Sequence, residues 1–424
     1  MENHRGNFPL MVKKRKTGWI CLIIALVTGA MMFYLREHPA PVPAPESESE
    51  ATTAAQQATA PEPPIVIGDD PEAALSEIYA DIHDERLDRA QQRVDALIAK
   101  FPTFRLAYLI RGDLLLARVQ PVAALDNADL RDEAIRRLRG YAHKPPVDAV
   151  PRSLIKLAED DPYAIVVDTD NSRLYVYENT PDHPKLVADY YVTQGKLGAD
   201  KWSEGDKRTP LGVYHVTSFL PPAKLPDMYG HGAWPLNYPN EWDKRRGRGG
   251  SGIWLHGSPS STYSRPPKAS DGCVVLSNAD FDRMEKFIRV GKTPVVFGRA
   301  IQWEPAADWK KTQAEMSQAI ERWRADWQAL DAERYLTHYS RDFKSGNRDF
   351  SAFTKQKTAA IQAKKWIKVG VSNLSLFYYP SKDEVIVATF TQSYESHNYQ
   401  EVMQKRQYWK KEDGQWKIVY EGAA

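Results

Sequence analysis

Apolar and polar residues follow different periods in successive parts of the chain, and these periods divide it into segments. Residues 18–35 form an uncharged apolar run of about the length that crosses the hydrocarbon core of a membrane. Residues 36–68 are rich in Pro, Ala, Ser, Thr and Glu and contain no Phe, Trp or Tyr, which is typical of a disordered linker. We therefore expect a transmembrane anchor over residues 17–35, followed by a solvated tether.

The charges on the two sides of the apolar run predict its orientation. Four cations at residues 13–16 precede it, whereas the segment that follows turns acidic at Glu46. Flanking cations favour the cytoplasmic side, so residues 1–16 are expected to be a cytoplasmic tail and the rest of the chain to be exported. A cleaved signal peptide has the same order of basic and apolar segments and is the alternative.

Residues 69–150 carry apolar side chains at helical spacing, for example Ala90, Val94 and Ile98. Amphipathic helices are expected here, with a break at residues 101–102, where a proline follows a phenylalanine. The region resembles a single tetratricopeptide-like unit. One such unit cannot bury both of its faces, so we expect a helical brace packed on a neighbouring domain, with a partner-binding module as the alternative.

Residues 160–300 contain the short β-rich runs of a domain built mainly from strands. Residues 164–168 and 173–177 are two such runs, and the turn-forming residues 169–172 between them predict a hairpin. Residues 220–252 form a long segment that is rich in Gly, Pro, Trp and Tyr and has no clear period. Irregular segments of this length inside a domain are usually functional.

Residues 303–424 begin with a helical pattern and continue as strands. One long helix is expected through Trp323, Trp327 and Tyr335, with these aromatic side chains in the core. The dipeptide Asp413-Gly414 predicts a hairpin turn near the end. Helices followed by an antiparallel sheet indicate an α+β cone. The expected strands cover residues 367–371, 374–378, 385–394, 403–410 and 416–420.

Composition excludes some classes of function. The net charge of only +2 does not indicate the strongly basic surface of a nucleic-acid-binding protein, so no nucleic-acid partner is expected. No cluster of His, Cys and Asp has metal-ligand spacing, and neither a metal nor another cofactor is expected. The chain has two cysteines, and Cys21 lies in the apolar run, so a disulfide with Cys273 is not expected. A lone thiol in an exported domain is a candidate for chemistry.

Cys273 lies in a sequence context that suits a nucleophile. Ser270 and Gly272 come just before it, and His256-Gly257 comes about 17 residues earlier. An imidazole can take the proton of a thiol and hold the thiolate as an ion pair. Gly272 permits a sharp turn, and backbone N–H groups near Gly272 and Cys273 can face a developing oxyanion. On these residues alone, a buried structural cysteine and a structural histidine remain open interpretations.

The flanking residues add a resemblance. His256-Gly257 and Ser270-x-Gly272-Cys273, followed by aliphatic residues, resemble the signature of the YkuD-type L,D-transpeptidases. The resemblance covers residues 160–300 and implies a catalytic domain that is mainly a β sandwich, with the Cys–His pair in a cleft under a mobile loop. Three further runs occur in the order that this family shows, namely residues 174–177, 209–214 and 252–255.

The resemblance also implies an activity on peptidoglycan. Family members attack the bond between the third stem residue and the terminal D-alanine and form a thioester on the cysteine. An amine acceptor then gives a cross-link or an attached protein, whereas water gives a trimmed tripeptide. Carried over to this chain, Cys273 is the nucleophile, His256 the general base and acid, and Gly257 the backbone partner of the imidazole. Ser270 and Gly272 belong to the oxyanion neighbourhood.

Residues 303–424 resemble the SnoaL-like α+β cones, which often dimerise, so a homodimer through this domain is a predicted arrangement. A catalytic domain of this kind followed by such a cone resembles the arrangement in cell-shape-determining L,D-carboxypeptidases. Together with the anchor predicted from the N-terminal apolar run, the resemblance predicts a bacterial protein anchored in the inner membrane, with its catalytic part in the periplasm. Transpeptidation, carboxypeptidation, attachment or release of a wall-linked protein and a non-catalytic wall-binding scaffold stay open.

Two residues depart from the family pattern. Asp271 stands where the family commonly has His, and Val275 stands where Arg or Asn is common. Because a carboxylate near the sulfur opposes thiolate formation, Asp271 is expected to point into solvent, with substrate contact as the alternative. The irregular segment is expected to cover the substrate as a lid, and its His231 is the rival candidate for the base. The candidate substrate contacts are Tyr229, His231, Trp234, Asn237, Tyr238 and Asp271.

Overall fold

The computed structural model describes residues 64–117, 127–380 and 383–424. The predicted cytoplasmic tail, the transmembrane anchor and most of the linker lie outside these residues. Among the helices that are described, none combines the length and the apolar character needed to cross a membrane. The chain divides into two compact units, with the division at residue 128.

The first unit is helical, as the spacing of its apolar residues predicts. Asp70 caps its first helix by accepting a hydrogen bond from the Glu72 amide at 2.9 Å. The second helix ends at Lys100, just before Pro102, because a proline ring disfavours helical backbone ahead of it. The first helix packs on the second and the second on the third. They are α1 (Pro71–His83), α2 (Leu87–Lys100) and α3 (Arg105–Ala117).

The second unit begins with helix α4 (Ala128–Ala142) and continues as a strand-rich region. Its further helices are α5 (Glu241–Arg245) and α6 (Asn278–Met284), and single turns of 3₁₀ helix occur at Pro222–Lys224, Asp227–Tyr229 and Glu285–Phe287. The strands are β1 (Ala149–Pro151), β2 (Leu154–Lys156), β3 (Tyr163–Asp168), β4 (Arg173–Glu178), β5 (Lys185–Tyr191), β6 (Gln194–Gly195), β7 (Gly212–His215), β8 (Ala233–Pro235), β9 (Trp254–His256), β10 (Lys268–Ser270), β11 (Val274–Val275), β12 (Pro294–Gly298) and β13 (Trp303–Pro305).

A five-stranded sheet in the order β5-β4-β3-β12-β7 forms the centre of this region. The predicted hairpin is present, because β3 and β4 pair in antiparallel fashion through their whole length. Side chains alternate between the two faces of β3. Ile165 and Val167 pack towards a small sheet of order β11-β9-β8, whereas Ala164 and Val166 belong to a second cluster that includes Phe377 of the C-terminal domain. The central sheet is therefore buried on both faces.

The C-terminal domain is the α+β cone that the pattern predicts, with a sheet of order β19-β18-β17-β16-β2. Its edge strand β2 comes from before the catalytic domain and pairs with β16. A strand that precedes the central domain in sequence is therefore part of the sheet of the C-terminal domain. The elements are α7 (Ala306–Gln328), α8 (Ala332–Thr337), β14 (Lys344–Ser345), β15 (Arg348–Asp349), α9 (Phe350–Gln362), β16 (Ile367–Tyr378), β17 (Val385–Ser396), β18 (Tyr399–Glu412) and β19 (Gln415–Ala423).

Two details of this domain differ from the expectations. The predicted long helix ends at Gln328, because Leu330 adopts a positive φ of 61°, and α8 follows as a separate helix. The two strands expected over residues 367–378 form one strand with a register shift between Ser372 and Ser375. Trp323 is fully buried, as expected. The multidomain fold class is confirmed, with N-terminal helices, a β-rich central region and an α+β cone.

A buried carboxylate joins the catalytic region to the cone. Asp243 on α5 accepts hydrogen bonds from the Tyr214 hydroxyl at 3.0 Å and from the Tyr379 hydroxyl of the cone at 3.3 Å. The ring of Trp242 stacks on Tyr408 of the cone with centroids 4.8 Å apart. The irregular segment that precedes β9 is thus anchored on the C-terminal domain.

Candidate active site

Cys273 follows a tight turn between β10 and β11. Ser270 Oγ donates to the Cys273 carbonyl at 2.6 Å and accepts from the Gly272 amide at 3.1 Å. Gly272 has a φ of +135°, and a Cβ there would lie 2.8 Å from the carbonyl oxygen of Arg208, so the turn requires glycine. Thr209 Oγ1 donates to the Gly272 carbonyl at 2.9 Å. The turn is therefore held from both sides, and it presents the sulfur at the start of β11.

Strand pairing brings His256 to this turn. β9 and β11 are parallel neighbours in which Leu255 is opposite Val274 and His256 is opposite Val275. If this register is extended by one residue, Cys273, which comes just before β11, lies opposite Trp254, the first residue of β9. The structure thus places the two predicted catalytic segments side by side on neighbouring strands of the small sheet.

His256 is 2% exposed and has a defined tautomer. Its Nδ1 lies 2.7 Å from the Gly257 carbonyl oxygen, and since a carbonyl only accepts, Nδ1 carries the hydrogen. Nε2 is then the nitrogen that can take a proton. Burial lowers the pKa of His256 to about 4, so the imidazole is neutral at neutral pH. The ring of Tyr229 packs edge-on against it with centroids 5.0 Å apart.

The thiol of Cys273 is also held in its neutral form. Its Sγ donates to the Gly252 carbonyl at 3.3 Å. Burial raises the pKa of Cys273 to about 11, opposed by a hydrogen bond from the Trp254 backbone and by the charge of Arg265, while Asp271 raises it slightly further. The lowered pKa of His256 and the raised pKa of Cys273 both favour a neutral thiol beside a neutral imidazole. A preformed thiolate–imidazolium pair, as the sequence suggested, does not fit this environment.

Three of the predicted substrate contacts lie where a ligand can reach them. Tyr229 is half-buried between Trp254 and His256. The side chain of Asp271 is 67% exposed and forms an ion pair with Lys196 at 3.0 Å. His231 is exposed, and its Nδ1 pairs with Asp282 at 3.0 Å. Asp271 therefore matches the solvated-turn interpretation, and His231 is bound to a surface carboxylate.

The other three predicted contacts take part in packing or hydrogen bonds within the fold. Trp234 is 2% exposed and stacks on Phe281 with centroids 3.9 Å apart. Tyr238 is buried, and its hydroxyl donates to the Gly249 carbonyl at 2.8 Å. Asn237 Oδ1 accepts from the His215 amide at 2.7 Å, which fixes the loop on β7. Aromatic residues in an irregular segment suggested a binding surface, but the segment uses them as its own core.

Several residues of the site were not singled out from the sequence. Thr209 Oγ1 holds the nucleophile turn, whereas the sequence assigns it no individual role within the run 209–214. Asn278 Oδ1 accepts from the amides of Ser258 and His231, each at 3.1 Å, and so ties the backbone that follows His256 to the segment that precedes β8. A Cβ at Gly257 would lie 2.3 Å from this oxygen, which explains the glycine after the histidine. No local signal pointed to Asn278, because its role depends on the fold.

Among the described residues, no group of three or more His, Cys, Asp or Glu side chains has the geometry to hold a metal ion. The arrangement is instead that of a thiol, a neutral imidazole and a rigid glycine turn. These groups suit acyl transfer through a sulfur nucleophile.

Comparison with protein families identifies both domains. Residues 162–297 match the L,D-transpeptidase catalytic domain family, also called YkuD. Residues 315–422 match the family of the Cds6 C-terminal NTF2-like domain. No curated protein sequence matches the chain.

Solved structures share the fold over about two thirds of this chain. A protein of Bdellovibrio bacteriovorus, Bd1075, is 30% identical with a TM-score of 0.58, and the match covers 65% of this chain and 98% of that one. The helical cell shape determining protein Pgp2 of Campylobacter jejuni is 24% identical with a TM-score of 0.55, and the match covers 64% of this chain and 95% of Pgp2. A point mutant of Pgp2 is 22% identical with a TM-score of 0.55, covering 70% and 100% of the two chains.

These matches define the class of protein. The chain belongs to the YkuD-type L,D-transpeptidase family, in the form that carries a C-terminal NTF2-like domain. Peptidoglycan is the substrate of this family. The NTF2-like match covers the cone that the sequence analysis compared with SnoaL-like domains.

Proposed function

We propose that this protein is an L,D-carboxypeptidase that removes the terminal D-alanine from tetrapeptide stems of peptidoglycan through a thioester on Cys273. The observation that carries the proposal is the turn at Ser270–Cys273 beside a neutral His256 whose Nε2 is unprotonated. A nucleophile and a base in this relation are what peptide-bond attack requires.

The first half of the reaction forms the thioester. Cys273 Sγ attacks the carbonyl carbon of the third stem residue while Nε2 of His256 takes the thiol proton. The Cys273 amide donates a hydrogen bond to the oxyanion, because the Gly272 amide already donates to Ser270 Oγ. The carbon–nitrogen bond then breaks, and His256 returns the proton to the departing amine of D-alanine.

The second half hydrolyses the thioester. Water attacks the same carbon, Nε2 takes a proton from it, and the proton returns to the sulfur as the carbon–sulfur bond breaks. Water is proposed as the acceptor because the chain shares its domain arrangement with a cell-shape-determining protein along almost the whole length of that protein. Transfer to a second stem, giving a cross-link, is the alternative product of the same intermediate.

The reaction requires export, so we also propose that residues 17–35 anchor the protein in the inner membrane and that the catalytic domain works in the periplasm. A homodimer through the cone stays a prediction. Fractionation of cells that express the full chain, with and without residues 1–35, tests the anchor.

Release of D-alanine from purified tetrapeptide muropeptides tests the enzymatic proposal. Wild-type protein should release it, and Cys273→Ala should not, while Arg334→Gln on the exposed surface of the cone should match wild type. Retained release in Cys273→Ala would refute thioester chemistry on this residue. A carbapenem adduct on Cys273 would exclude an inert scaffold, and unchanged wall-linked proteins in cells lacking the enzyme would exclude attachment or release of such proteins.

A further inference from the structure

The nucleophile has no cation at the position where the family commonly carries an arginine or asparagine. Val275 occupies that position, and it is 2% exposed in strand β11. The terminal carboxylate of a peptide substrate needs a charged or polar partner when it is bound next to the half-buried thiol of Cys273. Another cation near Cys273 would have to supply this partner.

Two cations act electrostatically on the Cys273 thiol, Arg265 and Lys201. Lys201 is already neutralised, because it is buried and its Nζ lies 2.8 Å from an Asp206 carboxylate oxygen. Arg265 is different. Within the described residues, its guanidinium makes one hydrogen bond, from Nη2 to the Met228 carbonyl at 2.8 Å, and no carboxylate lies within ion-pair distance. An arginine side chain has five N–H donors, so most of them are available.

The backbone of Arg265 is fixed on the catalytic sheet. Its carbonyl oxygen accepts from the Tyr191 hydroxyl at 3.0 Å and from Thr193 Oγ1 at 2.8 Å. The preceding Ser264 donates to the buried Glu133 of helix α4 at 2.6 Å. The residue thus has a preorganised backbone, which reduces the entropy lost when it binds a ligand.

The side chain extends from this anchor towards the reacting groups. Met228, whose carbonyl it contacts, directly precedes Tyr229, and Tyr229 packs on His256. Burial lowers the pKa of the Arg265 guanidinium, opposed first by its attraction to the ionised form of Cys273, and the positive charge of Arg265 lowers the pKa of His256. The guanidinium is therefore half-buried and near both catalytic side chains.

We propose that Arg265 binds the free α-carboxylate of the terminal D-alanine and so restricts cleavage to stems that end one residue after the scissile bond. The inference rests on the proposed function. A planar guanidinium can bind a carboxylate through two parallel hydrogen bonds. A pentapeptide stem has a neutral amide where that carboxylate would lie, so it lacks the group that Arg265 recognises.

The test uses the full-length protein and two tetrapeptide stems that differ only in a free or an amidated terminal carboxyl group. Arg265→Gln should lower kcat/KM for the free acid by about 10- to 100-fold, which is the range for a charge-assisted hydrogen bond. It should change turnover of the amide by less than about threefold, because the amide lacks the negative charge. Arg265→Lys should restore part of the loss, and Arg334→Gln serves as a control with the same change of charge. Equal losses of Arg265→Gln on both stems, or no loss on either, would overturn the proposal.

A binding measurement separates this inference from the proposed reaction. In a Cys273→Ala background, calorimetric titration should show weaker binding of the free acid after Arg265→Gln and unchanged binding of the amide. If wild type releases no D-alanine but this difference in affinity is present, the reaction is refuted and the carboxylate site stands. If wild type is active and the difference is absent in both binding and turnover, the carboxylate site is refuted and the reaction stands.

Discussion

Alkylation of Cys273 by iodoacetamide should be slow at neutral pH and should accelerate up to about pH 11. The reason is the pKa of the thiol, which burial raises from an ordinary value of 9.0 to about 11. The thiolate is the reactive form. At pH 7 a thiol with this pKa is ionised in about one molecule in ten thousand, whereas an ordinary cysteine is ionised in about one in a hundred.

The expected rate follows from two opposing effects. The smaller thiolate fraction lowers the rate at pH 7 by about 100-fold relative to an ordinary cysteine. A more basic thiolate is intrinsically more nucleophilic, and over this pKa difference the gain is roughly tenfold. Alkylation should therefore be about tenfold slower than that of a free thiol at pH 7, and it should rise about tenfold per pH unit.

The assay uses a Cys21→Ser variant of the full chain, in which Cys273 is the remaining thiol, since the chain has two cysteines. Intact mass at timed intervals gives the rate at each pH. His256→Ala should leave the profile nearly unchanged, because the imidazole is neutral above about pH 4. A fast plateau between about pH 5 and 8 that disappears in His256→Ala would demonstrate a preformed ion pair and refute this reasoning.

Three further changes test the supporting structure. Gly272→Ala should reduce turnover by about 100-fold or more, because its Cβ would meet the Arg208 carbonyl 2.8 Å away at a positive φ, and thermal melting should show that the fold is retained. Ser264→Ala removes the hydrogen bond to Glu133 and should raise KM for the tetrapeptide severalfold while kcat changes little. Trp323→Ala should lower the free energy of unfolding by about 3–5 kcal/mol in a urea titration, because the indole is fully buried in the cone.

Each of these expectations can fail in a specific way. Full activity of Gly272→Ala would mean that the turn is not needed to present the sulfur. A fall in kcat without a change in KM for Ser264→Ala would assign the α4 contact to chemistry instead of substrate binding. A loss of less than about 1 kcal/mol for Trp323→Ala would show that the cone contributes little packing energy at that side chain.

Much of the fold follows from local patterns. The hairpin of β3 and β4 is signalled by two β-rich runs around turn residues, and the last hairpin by Asp413-Gly414, both of which adopt positive φ values. The helix that was expected to continue past Gln328 ends because Leu330 takes a left-handed conformation. Leucine carries no turn signal, but the next residue, Asp331, caps α8 by accepting from the Arg334 amide at 2.9 Å, which is a local signal for a new helix.

The candidate site was predictable only where its residues share a short motif. Cys273 and His256 lie in recognisable glycine contexts, so their pairing could be expected before the strands β9 and β11 were seen. Trp234 shows the limit of composition, since an aromatic residue in an irregular loop suits a ligand surface and a small core equally well. Arg265 shows the limit of motifs, because its proximity to Cys273 arises from the course of a loop.

The electrostatics of the pair also needed the fold. A histidine near a cysteine suggests an ion pair on chemical grounds. Loss of solvation reverses that expectation, because it disfavours the charged form of each group. It lowers the pKa of His256 and raises the pKa of Cys273. Proton transfer is then expected to accompany the attack on the substrate.

Digestion of a purified tetrapeptide muropeptide in ¹⁸O-labelled water tests the central claim most directly. The account predicts free D-alanine and a tripeptide that carries one ¹⁸O atom in its new carboxyl group, with no reaction in Cys273→Ala. A cross-linked product without label would contradict hydrolysis, and labelled tripeptide from Cys273→Ala would contradict the thioester itself.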